Sequence, residues 1–239
     1  MNVVLLRVGI DTGSGGIHGP LFKNGSFEFV PIPDPLAHDS RTYGNTTGRY
    51  ARPLIDYFPT AMRARLATQP MHVDPEFETF TYGDPTVPKR SLARLQPGDL
   101  LVFYAGLQAW DWHDPAAPAL YIVGFFEVSH AGFASSFSEQ EITELFTANA
   151  HIRDSQRLAD ERQRLVLVKG GAGSRLLSRA VKISSVGKNS IGQDLKVLSP
   201  EMQLIFGDFD GRVSIQRSPP RWVDQGHVVA ASSFVRSLL

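Results

Sequence analysis

The chain has 239 residues, of which 42% are apolar and 20% charged, with 24 basic and 24 acidic side chains and no cysteine. That length suits one large domain or two small ones and is enough for a substantial core. The balanced charge gives no support to whole-surface steering toward nucleic acid, and the lack of thiols excludes disulfides, cysteine-ligated zinc, iron–sulfur clusters and a thiol nucleophile.

Taken in order, Val3 to Val8 is apolar and β-branched and reads as a buried strand. No basic region precedes this run, and no segment approaches the roughly eighteen consecutive apolar residues of a membrane span. A cytoplasmic protein without membrane contact is expected. A glycine-rich loop follows, RVGIDTGSGGIHGPLF, then a turn at Asn24-Gly25 leading into an uneven strand that ends at Pro33-Asp34. Residues 35 to 50 read as a loop, and Pro53 to Leu66 as helical with a break or fresh start at Pro59.

The strongest strand signals are LLVFYAGL (Leu100 to Leu107) and ALYIVGFFEVSHA (Ala119 to Ala131), expected as antiparallel neighbours. Ser138 with Glu141 forms a capping box ahead of a helix. RLVLVKG reads as a strand, and SRLLSRAVKIS as a segment that begins helical and ends extended. Ser199-Pro200-Glu201 opens a short helix that Gly207 closes, and a last helix spans Ser232 to Leu238. No linker stands out, so one α+β domain over residues 1–239 is expected.

The opening loop carries Arg7, Asp11, Ser14, Gly16 and His18. Asp11-Thr12-Gly13 occurs once, whereas aspartic-protease chemistry needs two such carboxylates. No Gly-Lys-Ser or Gly-Lys-Thr follows for a phosphate loop, and His18-Gly19-Pro20 argues against the helix that a dinucleotide fingerprint would open. Two readings stand. Successive glycines can turn N–H groups toward one anion or polar ligand edge, or Asp11 can bond its own backbone in a tight connection. His72-x-Asp74 in an extended segment puts both side chains on one face and could hold a metal with His18 or His151, but a structural histidine is the plainer reading and no metal is expected. Gly170 to Arg175 suggests a phosphate site at a helix start, with Ser174 and Arg175 as ligands, or else a simple loop and cap. Asp208 to Arg212 lacks the later ligands of a calcium loop and reads as a hairpin turn.

Pro97-Gly98-Asp99 leading into LLVFYAGL, followed by LYIVGFFEV, resembles the small β-barrels of the PUA, ASCH, EVE and YTH group over about Leu92 to Val128. The resemblance implies a PUA-like β-barrel core with peripheral helices, at about residues 70–185, and a base held between aromatic rings. Tyr82, Tyr104, Trp110 and Trp112 are the candidate walls, although most buried rings in such strands are plain core.

Three blocks in order go further: the opening segment from Arg7 through Pro31-Ile32-Pro33-Asp34, the stretch from His72 and Asp74 to Tyr104, and Gly170 to Leu177. Together they resemble the nucleotide-modification-associated domain family, third type. The resemblance implies a nucleotide or nucleic-acid partner in a modification or defence-related system, and names no cofactor. Two functions are carried forward. One is a binding module that takes a nucleobase, modified or not, in an aromatic pocket, with Arg7, Ser14, Gly16, Ser174 and Arg175 reading polar edges. The other is a hydrolase or transferase using Asp11, His18, His72 and Asp74.

Overall fold

A computed structural model describes residues 1–34, 40–111, 116–216 and 219–238. The chain runs β1 (Val3–Arg7), β2 (Gly19–Leu21), β3 (Ile32–Pro33), α1 (Thr60–Leu66), β4 (Met71–His72), β5 (Thr81–Asp84), β6 (Leu100–Ala109) and β7 (Ala119–Phe133). It continues through α2 (Glu139–Phe146), α3 (Ser155–Glu161), β8 (Val166–Gly170), β9 (Arg175–Lys182), β10 (Ser184–Lys188), β11 (Asp194–Leu198), α4 (Pro200–Phe206), β12 (Arg221–Trp222) and α5 (Val228–Arg236). The fold is α+β. No helix among the described residues is long and apolar enough to cross a membrane.

The main sheet has the order β12-β1-β6-β7-β8-β5, with β2 also on β6 and β9 also on β7. Among the described residues no ladder joins β12 to β5, so the path has two ends rather than closing on itself. β6 is buried for eight consecutive residues because β1 lies parallel on one side and β7 antiparallel on the other. A run that is apolar at every position, not at alternate ones, is what such a central strand needs. Two features let the fifteen-residue β7 serve three partners. Gly124 admits the Arg175 carbonyl and the Phe77 ring, and an irregularity between Val128 and His130 redirects the strand to β8. The core between these strands centres on Phe103, Phe125 and Phe126.

The capping box at Ser138 and Glu141, the Ser199 cap of α4 and the positive φ of Gly207 are present as the sequence predicts. Residues 54–66 split into a 3-10 turn and α1, with Pro59 as the break. One expectation is corrected. SRLLSRAVKIS does not begin helical. Arg175–Lys182 is strand throughout because its backbone pairs with Tyr121, Ile122, Gly124 and Phe125 of β7. No helix N-terminus therefore exists at Ser174.

Candidate functional site: a polar cleft with a His–Asp–His centre

The glycine-rich loop is organised by Asp11. Its Oδ1 accepts from the N–H groups of Gly13 and Ser14, both at 2.8 Å, and from the Ser14 hydroxyl at 3.0 Å. Its backbone carbonyl accepts from Ser14, Gly15 and Gly16. These N–H groups therefore converge on the aspartate itself. Gly15 has no room for a side chain, since a Cβ there would lie 2.3 Å from Ile10. Arg7, at the end of β1, pairs with Asp11 Oδ2 at 2.9 Å. Burial opposes ionisation of Asp11, but the Ser14 hydroxyl, the Arg7 charge and the two N–H groups outweigh it and hold the carboxyl below its ordinary range.

Arg7, Asp11 and Ser14 form one wall of a cavity of about 540 Å³. The other walls come from four separate places in the chain. The short β3–β4 ladder, with Ile32 opposite His72, brings Asp34 beside His72. Asp74 follows on the same strand exit. β5 passes with Tyr82, Gly83 and Asp84, and the segment after α2 delivers His151. α3 adds Arg157.

His72, Asp74 and His151 meet at the floor. Each offers a donor atom, and the three lie within 4.8 Å of one another. Asp74 Oδ2 is 3.9 Å from His72 Nε2 and 3.8 Å from His151 Nε2, and the two imidazoles meet edge to face at 4.8 Å. Gly83 N–H donates to Asp74 Oδ2 at 2.8 Å and the Asn149 amide donates at 3.3 Å. Asn149 Oδ1 accepts from His151 N–H, so one amide fixes both residues. Gly83 is required for this approach: a Cβ there would sit 2.9 Å from Asn149 Oδ1 and 3.0 Å from His151 Cδ2.

Behind the centre lies a layer of charged residues. His151 Nδ1 is 2.6 Å from Glu161 Oε2, and His72 Nδ1 is 3.3 Å from Asp34 Oδ2, close but not aligned as a hydrogen bond. Arg157 bonds Asp34 at 2.6 Å and pairs with Glu161 at 3.5 Å. Burial drives Asp74 well above the ordinary carboxyl range, against the Gly83 and Asn149 donors. Burial also favours neutral His151, although Glu161 pulls the other way. Asp34 is held far below its usual range by the adjacent His72 and, against burial, by Arg157. Three polar atoms of the centre, His72 Nδ1, Asp74 Oδ1 and His151 Nε2, are buried without a hydrogen-bond partner.

Of the residues singled out from sequence, Arg7, Asp11, Ser14, His72, Asp74 and Tyr82 line this cleft. Tyr82 is nearly buried, and its hydroxyl donates to Asp84 at 3.0 Å. Gly16, His18 and Trp110 line a second cavity of about 460 Å³, which also draws on the glycine-rich loop. There Trp110 packs edge-on against Phe22 and Tyr57, with the Arg52 guanidinium 4.7 Å from its ring centre. Tyr104 is core, 1% exposed, and its hydroxyl donates to the Ile215 carbonyl. Ser174 is buried and accepts from Glu127 N–H, while Arg175 lies in β9; neither is among the lining residues of either cavity. Trp112 lies outside the described residues. Sequence reasoning did not assign Asn149, Arg157 or Glu161 to the site. Their one local signal is the i, i+4 spacing of Arg157 and Glu161 on α3.

Fold and cleft together define an α+β protein with a largely buried His–Asp–His centre in a charged cavity. The family model for nucleotide modification associated domain 3 matches residues 2–236, and the chain belongs to that family. No curated protein and no solved structure matches it. The family's description associates its members with nucleotide modification.

Proposed function

We propose that the protein is an enzyme of a nucleic-acid modification system, a hydrolase or transferase that acts on a nucleotide or on a base within a nucleic acid, with His72, Asp74 and His151 as its working centre. One observation carries this reading: Asp74 Oδ1 and His151 Nε2 are buried and unpartnered at the floor of a cavity large enough for a nucleotide. Arg7 and Lys89 on the walls suit a phosphate-bearing substrate. Asp11 takes part as the brace of the Arg7 wall, and His18, which lines the second cavity, is left out of the chemistry. A single domain over residues 1–239, with the β5–β9 strands as a PUA-like core, is the architecture we assign to it.

The test is incubation of the protein with a panel of ordinary and modified nucleotides and short DNA and RNA, with products followed by mass spectrometry. Turnover by the wild type and its loss in Asp74→Asn support the reading. Turnover that survives Asp74→Asn overturns it.

A second reading is supported by the Trp110 cavity, whose aromatic lining of Trp110, Tyr57 and Phe58, together with Arg63, suits a stacked base. In that case nucleotides raise the melting temperature without being consumed, and Trp110→Ala removes the effect.

A further inference from the structure

We propose that His72, Asp74 and His151 form a binding site for one divalent first-row metal ion of the zinc, ferrous or cobaltous type. The proposal rests on the reading that this cleft is the working site, but its test needs no substrate.

The geometry is that of an open three-ligand centre. The separations of 3.8 and 3.9 Å between Asp74 Oδ2 and the two Nε2 atoms are too long for hydrogen bonds. They are slightly wider than the roughly 3.4 Å between ligands of a tetrahedral ion with bonds of about 2.1 Å. Asp74 Oδ1 and His151 Nε2 are each buried and bare, which is costly for any fold, and a cation held by the Asp74 carboxylate and His151 Nε2 offsets that cost. Two imidazoles and one carboxylate suit a borderline ion. Calcium and magnesium prefer all-oxygen shells.

The surrounding residues point the same way. With His151 Nδ1–H donating to Glu161 Oε2 at 2.6 Å, the Nε2 lone pair is left for the ion. Asp34 stands behind His72 Nδ1 in the corresponding place. A carboxylate hydrogen-bonded behind the imidazole is the usual support of a metal-bound histidine; His151 has it in Glu161, His72 has Asp34 near its Nδ1 without that bond, and Arg157 ties the two carboxylates together. Charge also balances. Asp34, Asp74 and Glu161 carry three negative charges when ionised and Arg157 one positive, so a divalent ion brings the cluster to neutrality. With three protein ligands, the remaining coordination positions face the cavity, where water or substrate can occupy them.

The experiment uses the full chain stripped of metal by a chelator, then titrated with Co(II), followed by its visible absorption, and with Zn(II), followed by calorimetry. One ion per chain is expected, together with a raised melting temperature. His72→Ala, His151→Ala and Asp74→Asn should each weaken binding by about 100-fold or more, and Glu161→Gln by about 10- to 100-fold with an altered Co(II) spectrum. His18→Ala should bind like wild type. Asp74→Asn is nearly isosteric, and circular dichroism of each variant checks that it has folded. Absence of Co(II) and Zn(II) binding by the stripped wild type overturns the proposal, as does wild-type binding by folded Asp74→Asn and His151→Ala. Neither result touches the substrate test above, which would then point to a metal-free centre.

Discussion

His151 Nδ1 and Glu161 Oε2 lie 2.6 Å apart, joining the segment after α2 to the last residue of α3. The imidazole is 2% exposed, so its N–H has no ready substitute partner in water. Glu161→Ala should lower the unfolding free energy by about 1–3 kcal/mol, the penalty for a buried donor left bare, and Glu161→Gln by less because it keeps an acceptor. Urea denaturation of the three proteins measures the difference. Equal midpoints would mean that the pair holds nothing in place.

Gly83 should be the most sensitive glycine of the cleft. An alanine methyl would press on Asn149 and His151, and the Asn149 amide links His151 N–H to Asp74. Gly83→Ala is expected to cost about 1–3 kcal/mol, in line with other overpacked sites. It should also abolish whatever the His–Asp–His centre does. A variant with full activity would show that the close approach of β5 is incidental.

Asp99 explains the Gly-Asp signature in structural terms. It is 1% exposed and accepts from Asn2 N–H at 2.6 Å, the Asn2 amide at 2.9 Å and Gln96 N–H at 2.9 Å, tying the start of β1 to the turn before β6. Asp99→Ala should lose about 3 kcal/mol, given that each bond to a charged group contributes roughly 1.5–3 kcal/mol and that neighbouring losses do not add fully. Thermal unfolding of the purified variant reads this directly.

The sequence revealed the elements whose signals are local. β6 and β7 are read from their own apolar runs, and the caps at Ser138 and Ser199 from the residue types that satisfy free helix N–H groups. The start of β9 looks helical in sequence because Ser174 to Ser178 contains good helix formers, while the partner that makes it extended, β7, lies about fifty residues earlier in the chain. The site divides in the same way. His72 and Asp74 were visible as a spaced pair. The choice between His18 and His151 as their companion depends on which cavity each one lines, a matter of tertiary packing. Glu161 and Asn149 touch the centre only after α2 and α3 have folded against it.

Asp11 gives a pH signature. Its folded-state pKa is depressed, so it contributes stability above its unfolded value near 3.8, and that contribution is lost as pH falls through the lower folded value. Asp11→Asn should therefore be less stable than wild type at neutral pH, with the gap closing in acid below about pH 4. The loop is partly exposed, so the ion-pair share is about 0.2–1 kcal/mol. Unfolding curves from pH 7 down to pH 3 follow the gap, and one that stays constant would mean the carboxylate is not favoured in the fold.

Arg7, Asp11 and Ser14 belong to one hollow, while Thr12, Gly16 and His18 belong to the other. The two hollows thus both draw walls from the glycine-rich loop, which is braced by its own aspartate. To the extent that an occupant of one hollow shifts this loop, affinity in the other changes, and it does so reciprocally by the same factor. Titrations on either hollow are therefore best run twice, with the neighbour empty and with it filled.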